Sequence, residues 1–265
     1  MLAGMEIALR YVLPGKHKPR AHVGEPPAGE PGISADFESR TVEVRDLRPL
    51  SAGLSLDREG FCLLQAPSEV GDFDDEEAIR GVYYHEASQL VARATGASRV
   101  VVFDHTVRHR CVGAARRPVY NVHVDFTLAS GPRRTRELLR GDPGELMRHR
   151  HAIINVWRPI VGPLRDSPLA MADAATVAPD DLVATDLVYP GRTGEYYLLK
   201  HNPAHRWYYA PAMQPHEVLL LKNFDSAEDG TARFSPHGAF EEPGAPADAP
   251  PRASIELRTL AFFHG

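Results

Sequence analysis

The stretch VHVDFT (122–127) sets two metal-seeking side chains two positions apart inside an apolar run. Successive side chains of a β-strand point to opposite faces, so His123 and Asp125 share one face while Val122, Val124 and Phe126 share the other. A neutral imidazole and a carboxylate on one face can grip a single ion from adjacent positions. A second histidine from a distant strand would complete a 2-His-1-carboxylate set that leaves positions open on iron. By itself H-x-D is a weak signal, because a solvated polar face produces the same letters.

The flanking sequence carries the same period. Segments 100–103, 119–126, 153–157, 182–189, 196–200, 207–210, 218–222 and 254–263 are β-branched or aromatic runs bounded by Gly, Pro, Asn or Asp. Before them, 75–94 has apolar residues stepping by three and four from Ile79 to Ala94, with Asp74 and Asp75 as N-caps and Gly96 as a stop, which predicts a helix. A shorter helix is predicted over 133–148, interrupted at Gly141-Asp142-Pro143. Helices followed by about eight strands predict a mainly β fold with flanking helices, a double-stranded β-helix or jelly roll of the cupin kind. The expected organisation is a single domain over 1–265 with its core at about 57–263. Residues 1–50, holding the Pro/Gly-rich loop GEPPAGEPG (24–32), read as an N-terminal extension.

Composition narrows the function classes. With 43% hydrophobic and 25% charged residues, the chain of 265 can bury a full core. A net charge of −5 leaves no electrostatic footprint for nucleic acid or an anionic membrane. Cys62 and Cys111 lack zinc-site spacing and read as reduced thiols. No apolar run of spanning length occurs, and the first residues do not form a signal peptide, so a cytoplasmic protein is expected. A homodimer is the base-rate expectation.

The remaining parts of a metal site lie near the C-terminus. FSPHGAF places His237 between apolar neighbours, and in PRASIEL residues Arg252 and Ser254 share one strand face. An oxygenase that uses 2-oxoglutarate as co-substrate chelates it to iron(II) through the 2-oxo acid end and needs a fixed cation for the distal carboxylate. Arginine supplies a bidentate fork, and a hydroxyl two residues on can add a hydrogen bond. The order H-x-D, then His, then R-x-S favours His237 as third ligand over His151, His201, His205 and His216, which read as loop, turn or strand-edge residues. His105 and His109 read as solvated surface, with substrate orientation as the sharper option.

Beyond these residues the chain resembles the hydroxylase/desaturase family of secondary-metabolite oxygenases, the CmcJ-like and AsaB-like proteins. The likeness is carried by DREGFCL (57–63), YYHEASQLV (83–91), FDHTVR (103–108), RPVYNVHVDFT (117–127), INVWRPIVGPLRDSPLA (154–170), MQPHEVLLLKNFDS (213–226), FSPHGAFEEP (234–243) and RASIELR (252–258). It implies an iron(II)- and 2-oxoglutarate-dependent dioxygenase with O2 as co-reactant, acting on a small-molecule natural product or amino-acid derivative by hydroxylation, desaturation or cyclisation. By that likeness His123, Asp125 and His237 hold the metal, and Arg252 with Ser254 holds the co-substrate. Asn155 is a further co-substrate candidate. Arg158, Trp207 and Tyr120 are candidate substrate contacts, and Arg258 is a second candidate for the distal carboxylate. Two other classes share the barrel, an accessory metal-binding protein without turnover and a cupin-type dioxygenase that does not use 2-oxoglutarate. The R-x-S pair argues against the first, and VHVDFT lacks the nearby third histidine that cupin sites commonly add, which argues against the second.

Overall fold

The computed structural model describes residues 4–111, 113–114, 116–139 and 144–263. Among them, fourteen strands follow in chain order. They are β1 (Gly4–Val12), β2 (Arg20–His22), β3 (Phe37–Asp46), β4 (Phe61–Gln65), β5 (Arg99–His109), β6 (His123–Val124) and β7 (His151–Pro159). The rest are β8 (Leu169–Ala172), β9 (Leu182–Tyr189), β10 (Arg192–Leu199), β11 (Trp207–Tyr209), β12 (Glu217–Asp225), β13 (His237–Ala239) and β14 (Ala253–Phe262). They form a nine-stranded sheet, β1-β3-β11-β8-β13-β6-β10-β9-β2, and a five-stranded sheet, β4-β12-β7-β14-β5. The major sheet curls, and the minor sheet closes the jelly roll. Leu63, Trp157, Leu219 and Leu221 of the minor sheet pack against Met171 and Tyr208 of the major one.

Alternation along the minor sheet explains its two faces. On β7, Ile154 and Val156 belong to the layer under the helices, whereas Asn155 and Trp157 turn inward. On β14, Ile255 and Leu257 face the helices and Ser254, Glu256 and Arg258 face the interior, as a period of two requires. The helical layer is α1 (Glu76–Ala78), a π-helical turn (Ile79–Tyr83) and α2 (Tyr84–Thr95). Asp75 caps it, accepting from the Glu77 and Ala78 N–H groups at 2.9 and 3.2 Å. Gly96, at φ 71°, ends it in the left-handed conformation that a Cβ penalises. Leu257 lies fully buried under this layer. Leu257→Ala is expected to lower unfolding free energy by about 2–5 kcal/mol, read as an earlier midpoint in urea denaturation.

Three sequence expectations change. Residues 4–46 are no appendage: β1 and β3 lie in the major sheet, and the Val122 N–H donates to the Arg10 carbonyl at 3.0 Å, so β1 lies beside the HxD segment. Predicted strand 119–126 shrinks to β6, because the Asp125 N–H donates to the Asn223 side chain at 2.9 Å instead of to a neighbouring strand. Helix 133–148 is α3 (Ser130–Leu138) and α4 (Gly144–Arg148), and the predicted break at 141–143 lies outside the described residues.

Candidate active site

His123 on β6 and His237 on β13 are direct cross-strand partners, with ring centroids 4.7 Å apart. Asp125 follows one residue after β6. One donor atom from each of the three residues fits within a span of 4.8 Å. Thus two strands far apart in sequence meet where the local alternation had placed only two ligands.

The hydrogen bonds around the three side chains fix which atoms are free. His123 Nδ1 lies 2.8 Å from the Asn121 carbonyl, and His237 Nδ1 lies 2.9 Å from that of Ser235. A carbonyl only accepts, so each Nδ1 donates and each Nε2 presents its lone pair to the centre. On Asp125, Oδ2 accepts from Arg258 Nε at 2.8 Å and from Asn155 Nδ2 at 2.9 Å. Its Oδ1 is left facing His123 Nε2 at 3.7 Å. Burial, then the neighbouring His237, pushes the His123 pKa down to about 4. Asp125 is held well below the usual carboxylate range: burial opposes ionisation, but the Arg258 charge, followed by the two imidazoles and Asn155, outweighs it. Two neutral imidazoles and one ionised carboxylate are the donor set an iron(II) ion requires, so the residues fit the metal.

A second cluster forms around Arg252, which is 3% exposed. Its Nε donates to Ser254 Oγ at 3.1 Å and its Nη1 to the Ser167 carbonyl at 2.8 Å, and the guanidinium lies 5.0 Å from the centre of the Trp157 ring. It makes no ion pair with any described carboxylate. Burial, reinforced by the charge of Arg108, pushes its pKa down to about 10. A desolvated cation without a counterion is costly, and a bound carboxylate would offset that cost. Ser167 holds its carbonyl there at φ 52°, a strained value for a residue with a Cβ.

The other candidates divide. Asn155 is buried at the site, but it bridges Asp125 and Glu256, at 2.9 and 2.7 Å, rather than facing a co-substrate. Tyr120 bonds Ser167 Oγ at 2.8 Å and so stands beside the Arg252 cluster. The guanidinium of Arg258, the second candidate for the distal carboxylate, is occupied by Asp125 and, at 3.0 Å, by Glu256. Arg158 lies on the opposite face of β7, donating to Tyr83 Oη at 2.8 Å and to the Ala66 carbonyl at 2.8 Å, away from the site. Trp207 is fully buried with Tyr11, Leu9 and Val44 in a cluster of the major sheet. Among the rival histidines, His205 bonds Asp181, His105 bonds Tyr84 and Glu76, and His109 bonds Asp74.

Sequence reasoning missed Glu256 and Asn223 as supports of Asp125. The signal for Glu256 was available, since 252, 254, 256 and 258 share one face; that for Asn223 was not, because it acts across two sheets.

A family model described as "Oxidoreductase/YMDC permease-like domain" matches residues 9–262. The hydroxylase/desaturase efuI of Hormonema carpetanum is 34% identical, over 86% of this chain and 85% of its own. The Fe(II)/2-oxoglutarate-dependent dioxygenase nvfI of Aspergillus novofumigatus is also 34% identical, over 89% of this chain and 88% of its own. The chain belongs to the iron(II)/2-oxoglutarate-dependent hydroxylase/desaturase family. The oxygenase superposes on the solved iron and alpha-ketoglutarate-dependent endoperoxidase NvfI with a TM-score of 0.90 and 31% identity, covering 99% of both chains. It is an oxidoreductase that uses iron(II), 2-oxoglutarate and O2 on a small-molecule substrate. No helix among its described residues is long and apolar enough to cross a membrane.

Proposed function

We propose that the chain oxidises an unactivated C–H bond of a small natural-product-like or amino-acid-derived molecule, with hydroxylation, desaturation and ring closure as outcomes open to one site. The observation that carries this reading is the pairing of two features inside one barrel: a His–Asp–His donor set with its free atoms converging, and a buried arginine with no ion pair to any described carboxylate.

His123 and His237 would hold the metal through Nε2, and Asp125 would hold it through Oδ1. Arg258 and Asn155 keep the Asp125 carboxylate ionised and turned, so the donor set is ordered before an ion arrives. Arg252 and Ser254 receive the distal carboxylate of 2-oxoglutarate. When bound, iron(II) and 2-oxoglutarate supply the activation of O2 that makes hydrogen abstraction from carbon accessible. The protein then decides which C–H bond is presented. A cavity of about 590 Å³, lined by His123, Asp125 and Arg258, lies in front of the donor set. Its volume suits a molecule of drug size.

Anaerobic addition of iron(II) and then 2-oxoglutarate tests this assignment through the weak visible charge-transfer band of the chelate. Wild type is expected to show the band and His123→Ala to lose it. Arg252→Ala should need about tenfold or more additional 2-oxoglutarate, the loss of one charge-assisted anchor. Absence of the band in folded, iron-loaded wild type would overturn the assignment.

A further inference from the structure

The cavity in front of the donor set has a charge balance unlike that of the chain. The whole sequence carries a net charge of −5, yet six arginines line this space against four carboxylates. Every one of those carboxylates already has a cation. Asp125 and Asp104 pair with Arg258, Glu137 with Arg134 at 3.2 Å, and Glu195 with Lys18. That leaves Arg108, Arg116, Arg133 and Arg192 lining the cavity without an ion pair to any described carboxylate.

Arg108 is the deepest of the four. Arg116, Arg133 and Arg192 are exposed at the mouth, whereas Arg108 is half-buried on β5, directly opposite Ser254 of β14. One hydrogen bond engages its guanidinium, from Nη1 to the Arg117 carbonyl at 3.1 Å. Burial lowers its pKa, with repulsion from Arg258 and Arg116 set against the pull of Glu256 and Asp125. Arg252 and Ser254 are not among the residues that line the cavity, although Arg108 lies close enough to Arg252 for the two charges to repel. The β2, β9 and β10 segments contribute apolar lining, Ala21, Val23, Leu187 and Leu198, together with polar His22, Thr193 and Glu195.

From this division we propose that the substrate is an amphipathic acid, an apolar carbon skeleton bearing a carboxylate that Arg108 binds. The apolar body lies against the β2–β9–β10 wall, and the mouth arginines draw the anion inward. The planar fork of arginine suits a carboxylate bidentately, and a half-desolvated guanidinium unpaired with any described carboxylate strengthens that contact. This inference rests on the oxygenase reading above and specifies its substrate class.

The test uses the anaerobic iron(II) enzyme saturated with 2-oxoglutarate, which blocks Arg252 from taking up the probes. Decanoate, naphthalene-2-acetate and dehydroabietate, each beside its primary amide, are titrated by calorimetry. Wild type should bind at least one acid about tenfold or more tightly than its amide, the scale of one charge-assisted contact. That preference should vanish in Arg108→Met and return in part in Arg108→Lys, while 2-oxoglutarate affinity, read from the charge-transfer band, stays unchanged in both. Amides binding as tightly as acids, or no acid binding at all, would overturn the proposal. So would a weakened 2-oxoglutarate titration in Arg108→Met, which would make Arg108 a co-substrate residue. Failure of the band in wild type is a separate result and would strike the oxygenase assignment itself.

Discussion

In His237→Ala, iron(II) binding and turnover are expected to disappear together while the fold persists. The imidazole makes a single hydrogen bond to the protein, from Nδ1 to the Ser235 carbonyl, so its structural role is small. β13 remains held by backbone pairing to β8 and β6. The expected stability cost is therefore about 1 kcal/mol, typical of a single substitution. Loss of a direct donor should weaken iron more than the roughly 10–100-fold that removing a supporting partner costs. Iron content after desalting, succinate formation and thermal melting measure the three quantities. Retained iron with normal succinate formation would remove His237 from the ligand set.

Arg258→Met is expected to damage the metal-free protein most. Arg258 bridges two inward-facing carboxylates, Asp125 at 2.8 Å and Glu256 at 3.0 Å, and its side chain is 13% exposed. Methionine keeps much of the volume but leaves both charges without a cation. Breaking a buried pair from one side costs about 3–5 kcal/mol, against near-neutral cost for a surface pair. Urea denaturation of the metal-free variant measures this. Adding Glu256→Gln should recover part of the stability by removing one orphaned charge. It should not restore iron affinity, expected to fall about 10–100-fold because Asp125 loses a partner that orients it. Wild-type stability in Arg258→Met would show that the network contributes little.

Where a residue's role follows from its own strand, the sequence was a sufficient guide. The shared face of Arg252 and Ser254 follows from a period of two, and the same period sets Arg158 opposite Asn155 and Trp157 on β7, against its reading as a substrate contact. The strands that escaped notice include the long β1 and β3, whose segment read as an extension, and several short ones. β8 and β13 have four and three residues, too few to display alternation, and β13 carries His237. Trp207 and Arg158 look like pocket residues in a list of side chains, yet one fills the major-sheet core and the other ties β7 to the helical layer.

The sequence by itself determined the chemical alphabet of this protein: a two-residue strand spacing for His123 and Asp125, a later histidine, and an R-x-S face, set by backbone geometry that acts over neighbouring residues. Only the tertiary structure decided that His237 stands opposite His123, that Asp125 is held by Arg258 and Asn155, and that Arg108 lines the cavity without an ion pair to any described carboxylate. Those relations depend on strand register and sheet closure, which are fixed by hydrogen bonds and packing between segments remote in the chain, and no local pattern encodes them.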